Sequence, residues 1–312
     1  MTRQARILDN ACWKVASPAL SVLIPFLRDD PTDLLQRLDR EAAPVDGSVE
    51  IVVLDDGTGD RELTARLGAL IKAMALPAQL ITLSRNEGRA IGRNRLATAA
   101  RGGSLLFLDS DMRPDHSHFL RDWTALVSRE DPAVAFGGFS LLQAPTDACF
   151  AVHRAMAARS DCVPFDARAR QPEKYVYTSN LLVRRDVFTA EAFDPGFSGW
   201  GWEDVEWAMR VSARYGVLHL DNPATHMGLD TVAGLAGKYE QSVPNFGRVV
   251  HHHPEIVSQY PSYRAARLLK RLPGLDMLRP LLRRVAETHW LPIRARAFSL
   301  RLYRAALYAG VV

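Results

Sequence analysis

At 312 residues, with 47% apolar and 24% charged side chains, the chain can bury a full core and falls in none of the disordered, fibrous or membrane-spanning classes. Its three cysteines, Cys12, Cys149 and Cys162, are too far apart for a metal knuckle or a disulfide framework, and they point to a reducing compartment. The net charge of +4 is uneven: residues 262–312 hold 11 Lys/Arg against two acids, so the rest of the chain is net −5.

The first apolar stretch, Pro18 to Leu27, is short and has no small-residue cleavage site after it, so it is expected as a strand over Ala19–Pro25 and not as a signal peptide. Pro31 opens a helix. Val49 to Leu54 is a second buried strand ending in Asp55-Asp56-Gly57. A helix over 63–74, a strand over 79–83, a turn at Asn86-Glu-Gly88 and a helix over 91–100 follow. The fourth strand, Ser104-Leu-Leu-Phe-Leu, ends abruptly in Asp109-Ser-Asp111. Runs of four or more apolar residues, alternating with helices through short turns, predict a parallel sheet covered on both faces.

Beyond Asp111 the rhythm loosens. A strand with a Gly pair is predicted over 133–141, a helix over 144–159 and a strand over 175–184. Next comes Gly199-Trp-Gly-Trp-Glu-Asp204, a glycine turn that puts Glu203 and Asp204 in the first turn of a helix. A short strand over 217–220 precedes Ala224-Thr-His226. From about Tyr263 the tail reads as amphipathic helices broken at Pro273-Gly274, Pro280 and Pro292, with leucines alternating with arginines. It is expected either to pack as a lid or to lie on an anionic membrane, where each basic residue contributes on the order of 1 kcal/mol.

In open α/β sheets, ligands sit at the carboxyl ends of the strands. Those ends carry Pro25 to Arg28, Asp55-Asp56 and Asp109-Ser-Asp111. A bare Asp-x-Asp can be no more than a solvated turn, but paired carboxylates also suit a hard divalent ion that holds substrate phosphates. Ionised acids only accept hydrogen bonds. Asp55 or Asp56 therefore suits a base N–H and Asp109 ribose hydroxyls, while Asp111 suits the ion and Arg89 or Arg93 adds positive charge. His226 is a further ligand candidate, because an octahedral ion at Asp111 would be short of protein donors. Trp200 and Trp202 offer flat faces on which pyranose rings stack, and Glu203 and Asp204 could grip hydroxyls or take a proton. The chain lacks both a P-loop and a Gly-x-Gly-x-x-Gly after its first strand.

Ile24-Pro25, Val53-Leu-Asp-Asp-Gly57, Asn86-Glu-Gly88, Gly92-Arg-Asn94, Leu106-Phe-Leu-Asp-Ser-Asp111 and the Trp200-Gly-Trp-Glu-Asp204 block, in that order, resemble the family 2 glycosyltransferases of the GT-A fold. The last block is similar to a galactosyltransferase-type Trp-Gly-x-Glu-Asp motif, with Trp202 where glycine is common. The resemblance spans about residues 19–230. It implies an inverting, metal-dependent (Mn²⁺ or Mg²⁺) transfer of a sugar from a nucleotide-diphosphate donor, usually UDP-linked, to a saccharide or glycolipid hydroxyl. It gives Asp204 as general base, Glu203 with Trp200 as holding the acceptor and Asp55 or Asp56 as the base contact; Trp202 is a further expected acceptor contact, and Pro25, Phe26, Arg28, Arg93 and Asp109 are further expected donor contacts. Asp111, Asp109 and His226 are the metal ligands it implies.

The expected organisation is a catalytic domain over 1–260, with a nucleotide-binding half at 19–112 and an acceptor-binding half at 113–260, and a basic helical tail over 261–312. The arginine- and alanine-rich composition suggests a bacterial polysaccharide or glycolipid enzyme in the cytoplasm, peripheral on the inner face of the membrane, with no nucleic-acid partner. Two rivals are a sugar-1-phosphate nucleotidyltransferase, which would need a glycine- and lysine-rich loop where Phe26-Leu-Arg-Asp-Asp-Pro31 stands, and a non-catalytic membrane scaffold.

Overall fold

The computed structural model describes residues 5–45, 47–170 and 175–312. Its strands are β1 (Arg6–Asp9), β2 (Leu20–Phe26), β3 (Val49–Asp55), β4 (Ala78–Thr82), β5 (Ser104–Leu108), β6 (Met112–Pro114), β7 (Val134–Phe136), β8 (Phe139–Ser140), β9 (Asn180–Arg184), β10 (Val217–His219) and β11 (Ala224–His226). Eight of them form one sheet in the order β1-β4-β3-β2-β5-β9-β7-β10, and β6-β11-β8 form a second, small sheet. Strands β4, β3, β2 and β5 run parallel, as the continuous apolar runs predict. β9 enters antiparallel between β5 and β7, and β1 adds an antiparallel edge.

The two faces of the sheet explain why these strands are apolar throughout. Leu23, Val52, Leu54, Leu105 and Phe107 join one core with Trp207 and Phe246. Their neighbours Val22, Ile24, Ile51, Val53, Leu106 and Leu108 join the other with Leu35, Leu67 and Trp123. The two-residue alternation of a strand sends adjacent side chains to opposite faces, so only a run with no polar break can be covered by helices on both.

The strand predicted over 133–141 is two strands in two sheets. Gly137 and Gly138 make the break: a Cβ on Gly137 would lie 2.4 Å from Asn180 Nδ2, and one on Gly138, at φ +104°, 1.9 Å from Arg168 Nη1. Only the last five residues of the predicted 175–184 strand pair, as β9. The helix predicted over 144–159 is regular only from Ala151 to Ser160.

In the tail, helices span Pro261–Leu269, Leu275–Glu287 and Ile293–Tyr308. Pro280 was expected to break a helix but lies inside one. The loss of a backbone bond there, about 3 kcal/mol, is offset by packing of that helix along Ile293–Tyr308, with Ala286 and Leu300 fully buried. The inner face of the tail therefore packs as a lid, with Leu300 and Tyr303 on Val152, Leu235 and Tyr239. No helix among the described residues is long and apolar enough to cross a membrane.

Candidate active site

The parallel strands bring Phe26, Asp55 and the residue after Leu108 to one edge of the sheet. There Asp55 is 2% exposed and accepts the Thr58 N–H at 2.8 Å. Asp56 accepts the N–H groups of Glu87 and Gly88 at 2.8 and 3.0 Å, so it ties the loop after β3 to the loop after β4. Burial pushes the Asp56 carboxyl above its usual range. Gly57 makes this closure possible, because at φ +83° a Cβ would lie 2.2 Å from the Arg85 carbonyl carbon. Arg28 is exposed just past β2, in a left-handed conformation (φ +67°) and with its N–H on Thr58 Oγ1. Pro25 is half-buried and Phe26 buried beneath it.

From the start of helix Arg89–Ala99, two arginines reach across the site. Arg93, 1% exposed, donates from Nη2 to Asp109 Oδ1 at 2.7 Å and from Nη1 to Glu203 Oε1 at 3.4 Å. Arg89 donates to Glu203 Oε1 at 2.7 Å and to Asp109 Oδ2 at 3.4 Å. Ser179 Oγ adds a 2.9 Å bond to Asp109 Oδ2. A buried guanidinium persists only when paired. Here its partners come from opposite halves of the domain, 110 residues apart for Arg93 and Glu203. Burial alone would raise the Asp109 carboxyl, but Arg93 and Arg89 outweigh it and hold it at about 2.

Two of the expected site residues take part in this network. Asp109 was expected to share a metal with Asp111, yet both its oxygens are engaged by arginine and serine. Glu203 was expected to grip an acceptor, yet it is 3% exposed and clamps the two arginines.

Asp111 is separate from that network. Its Oδ2 lies 3.1 Å from His226 Nε2, and its carbonyl accepts the Met227 N–H at 2.9 Å. The antiparallel pairing of β6 with β11 places His226 opposite Met112 and so delivers a residue 115 positions away. Partial desolvation and the charge of Asp111 hold Asp29 above its ordinary range. Gly228 keeps the space beside the pair open: a Cβ there would lie 2.0 Å from Asp111 Oδ2. Adjacent corners of an octahedron with ligand bonds of about 2.1 Å lie about 3.0 Å apart, so the Asp111–His226 spacing suits a small divalent ion. Among the described residues no group of three or more His, Cys, Asp or Glu is placed to hold a metal ion.

The Gly199–Asp204 turn coils tightly, with Gly199, Gly201 and Trp202 all at positive φ. Asn245 pins it by donating to the carbonyls of Ser198 and Gly201, both at 2.8 Å. Trp202 was expected to stack on an acceptor sugar. Its ring instead packs on Phe246 and Tyr308, and its Nε1–H donates to the Tyr308 hydroxyl at 2.9 Å. Trp200 is half-exposed against Tyr239, with Lys238 Nζ 5.8 Å from its ring centre. Asp204 is half-buried at the start of helix Glu203–Ser212. Desolvation, then the charge of Glu203, push its carboxyl up to about 6.

Tyr308 also meets Ser242 Oγ at 2.7 Å, so one tail hydroxyl joins the Gly199–Asp204 turn to helix Val243–His252. Tyr308→Phe is expected to leave both partners short of a bond and to lower stability by about 1–3 kcal/mol, read as a shift of the urea midpoint at unchanged slope. The role of Tyr308, like those of Ser179 and Asn245, has no signal in the sequence, because each acts through a partner remote in number. His153 is similar: its Nδ1 accepts the Asp230 N–H at 2.7 Å and its ring centre lies 6.0 Å from that of His226.

A family model described as "Glycosyl transferase family 2" matches residues 21–190. Among solved structures, the chain is similar to the mannosyltransferase PcManGT from Pyrobaculum calidifontis in complex with GDP-Man and Mn2+ (TM-score 0.59, 13% identity, 99% of this chain and 91% of that one). It is also similar to S. aureus TarS 1–349 in complex with UDP-GlcNAc (0.55, 16%, 93% and 91%), and to GalNAc-T7 with UDP, GalNAc and Mn2+ (0.58, 16%, 82% and 52%). A search of curated proteins finds no match. The sheet and helix arrangement is the GT-A fold of these glycosyltransferases.

Proposed function

The chain belongs to glycosyl transferase family 2, and from that premise we propose that it moves a sugar from a nucleotide-diphosphate donor, UDP-linked in the first instance, to a hydroxyl of a saccharide or glycolipid with inversion. The observation that carries this reading is Asp204. It is a carboxylate raised to about 6 by burial, one residue from the Glu203 that the arginines tie to Asp109 at the end of β5.

The nucleotide lies over the strand ends, its base against Asp55 or Asp56, its ribose toward Asp109, and its phosphates toward Arg28. Asp111 and His226 would hold the divalent ion, which when bound supplies positive charge at the diphosphate. Trp200, half-exposed, is the aromatic contact for the acceptor. Asp204 takes the proton of the acceptor hydroxyl as that oxygen attacks the anomeric carbon from the side opposite the diphosphate. Holding donor and acceptor in line supplies much of the acceleration. We also assign the outer, basic face of residues 262–312 to the surface of an anionic membrane, on the inner side of a bacterial cell, where a glycolipid acceptor would be met.

Calorimetry with UDP and GDP, with and without Mn²⁺, tests the donor site. UDP is expected to bind more tightly with Mn²⁺ than without it, and Gly228→Ala, which pushes on Asp111, is expected to lose that gain while keeping its fold. If neither nucleotide binds under either condition, the donor assignment fails.

A further inference from the structure

Between helices Ala151–Ser160 and Ile293–Tyr308 lies a cavity of about 550 Å³, lined by Met156, Ile293, Ala297 and Phe298 together with Arg159, Arg294 and Arg301. None of these three arginines makes an ion pair among the described residues, although most arginines of the catalytic domain do. Trp290, 84% exposed, sits in the link just before Ile293, and Phe298 is 62% exposed. Ile293, Ala297 and Arg301 are spaced i, i+4, i+8 and so share one helix face. Three guanidinia without an ion pair over an apolar floor complement an amphiphile: an anionic oxygen cluster on the arginines and methylenes on the floor.

We propose that this groove seats the phosphate of an anionic membrane lipid. It would fix where the tail meets the bilayer and which way the catalytic cleft faces. The proposal rests on the reading that the tail meets a membrane, and adds that contact is made at one site and not diffusely along the basic face. Helix Pro261–Leu269 provides the contrast. It packs beside the far end of Ile293–Tyr308, with Ala266 and Tyr308 in one core, and it carries exposed arginines of its own.

Sedimentation of the full chain with neutral phosphatidylcholine vesicles, and with vesicles containing phosphatidylglycerol, tests this. Two triple variants remove equal charge: Arg159→Gln/Arg294→Gln/Arg301→Gln in the groove, and Arg264→Gln/Arg267→Gln/Arg271→Gln outside it. Binding is expected only to the anionic vesicles. The groove variant is expected to weaken it about 100-fold and the outer variant no more than about fivefold, with circular dichroism unchanged in both. Equal loss in the two variants would overturn the groove while leaving the membrane reading intact. No binding by the unmodified chain would overturn both. Millimolar inorganic phosphate competing as well as the lipid would assign the groove to free phosphate. Binding that survives the groove variant unchanged would likewise overturn the groove.

Discussion

Asp204→Asn is expected to lower glycosyl transfer by about 10²–10⁴-fold, the usual contribution of a positioned base, with Mn²⁺-dependent UDP binding little changed. The amide keeps the shape of the carboxylate and can still accept the Val205 N–H, a 2.8 Å bond in the native chain, so the helix start should persist. In the unmodified enzyme the rate should rise with pH and level off above about 6, as the carboxyl loses its proton. The same shift has a consequence for stability. Asp204 titrates near 3.8 when unfolded and near 6 when folded, so between those values the folded chain binds more protons and stability falls as pH rises. Above pH 6 the ionised, desolvated carboxylate is a standing destabilisation that asparagine removes. Asp204→Asn should therefore melt higher than the unmodified chain at pH 8, and the difference should close by about pH 4. A variant that loses activity through misfolding would melt lower at every pH. One that retains most of its activity would mean that the proton goes elsewhere.

The sequence made the sheet legible wherever burial on both faces demanded an unbroken apolar run. β2, β3 and β5 hold such runs, and the shared edge of the acids after β3 and β5 follows directly from the parallel arrangement. What it left hidden was pairing between distant segments. β9 could not be read as antiparallel, because an apolar run carries no direction. β6, β8 and β11 are two or three residues long, too short to show a period, yet they bring His226 to Asp111. The roles of the Gly199–Asp204 turn were legible by residue type and not by orientation. Glutamate and tryptophan suit an acceptor site, but Glu203 answers Arg89 and Arg93, and Trp202 answers Tyr308. A glycine at position 202 would have left the ring's place in that core empty. The positive φ of Trp202 is the mark that the local preference yields to the aromatic contact.

Removing Arg93 is expected to have the largest effect on folding of any single substitution in the site. Arg93→Met keeps the length and apolar stem of the side chain but leaves Glu203 with Arg89 alone and Asp109 with Arg89 and Ser179. Breaking a buried ion pair by deleting one partner costs about 3–5 kcal/mol, because the remaining charge stays desolvated. Arg89→Met is the comparison: its side chain is 41% exposed, so water screens it and the loss should be about 1 kcal/mol. The pH dependence distinguishes an electrostatic clamp from simple loss of packing. Asp109 is held at about 2 in the folded chain against 3.8 unfolded. Its pairing therefore contributes stability that is fully present above pH 3.8 and fades as pH falls toward 2, about 2 kcal/mol in all. Urea unfolding of the two proteins at pH 7 and at pH 3 should show the gap between them narrowing in acid. A gap that stays constant would mean that Arg93 acts through its volume, and the link between the β5 end and the Asp204 helix would have to be sought in Arg89 and Ser179 instead.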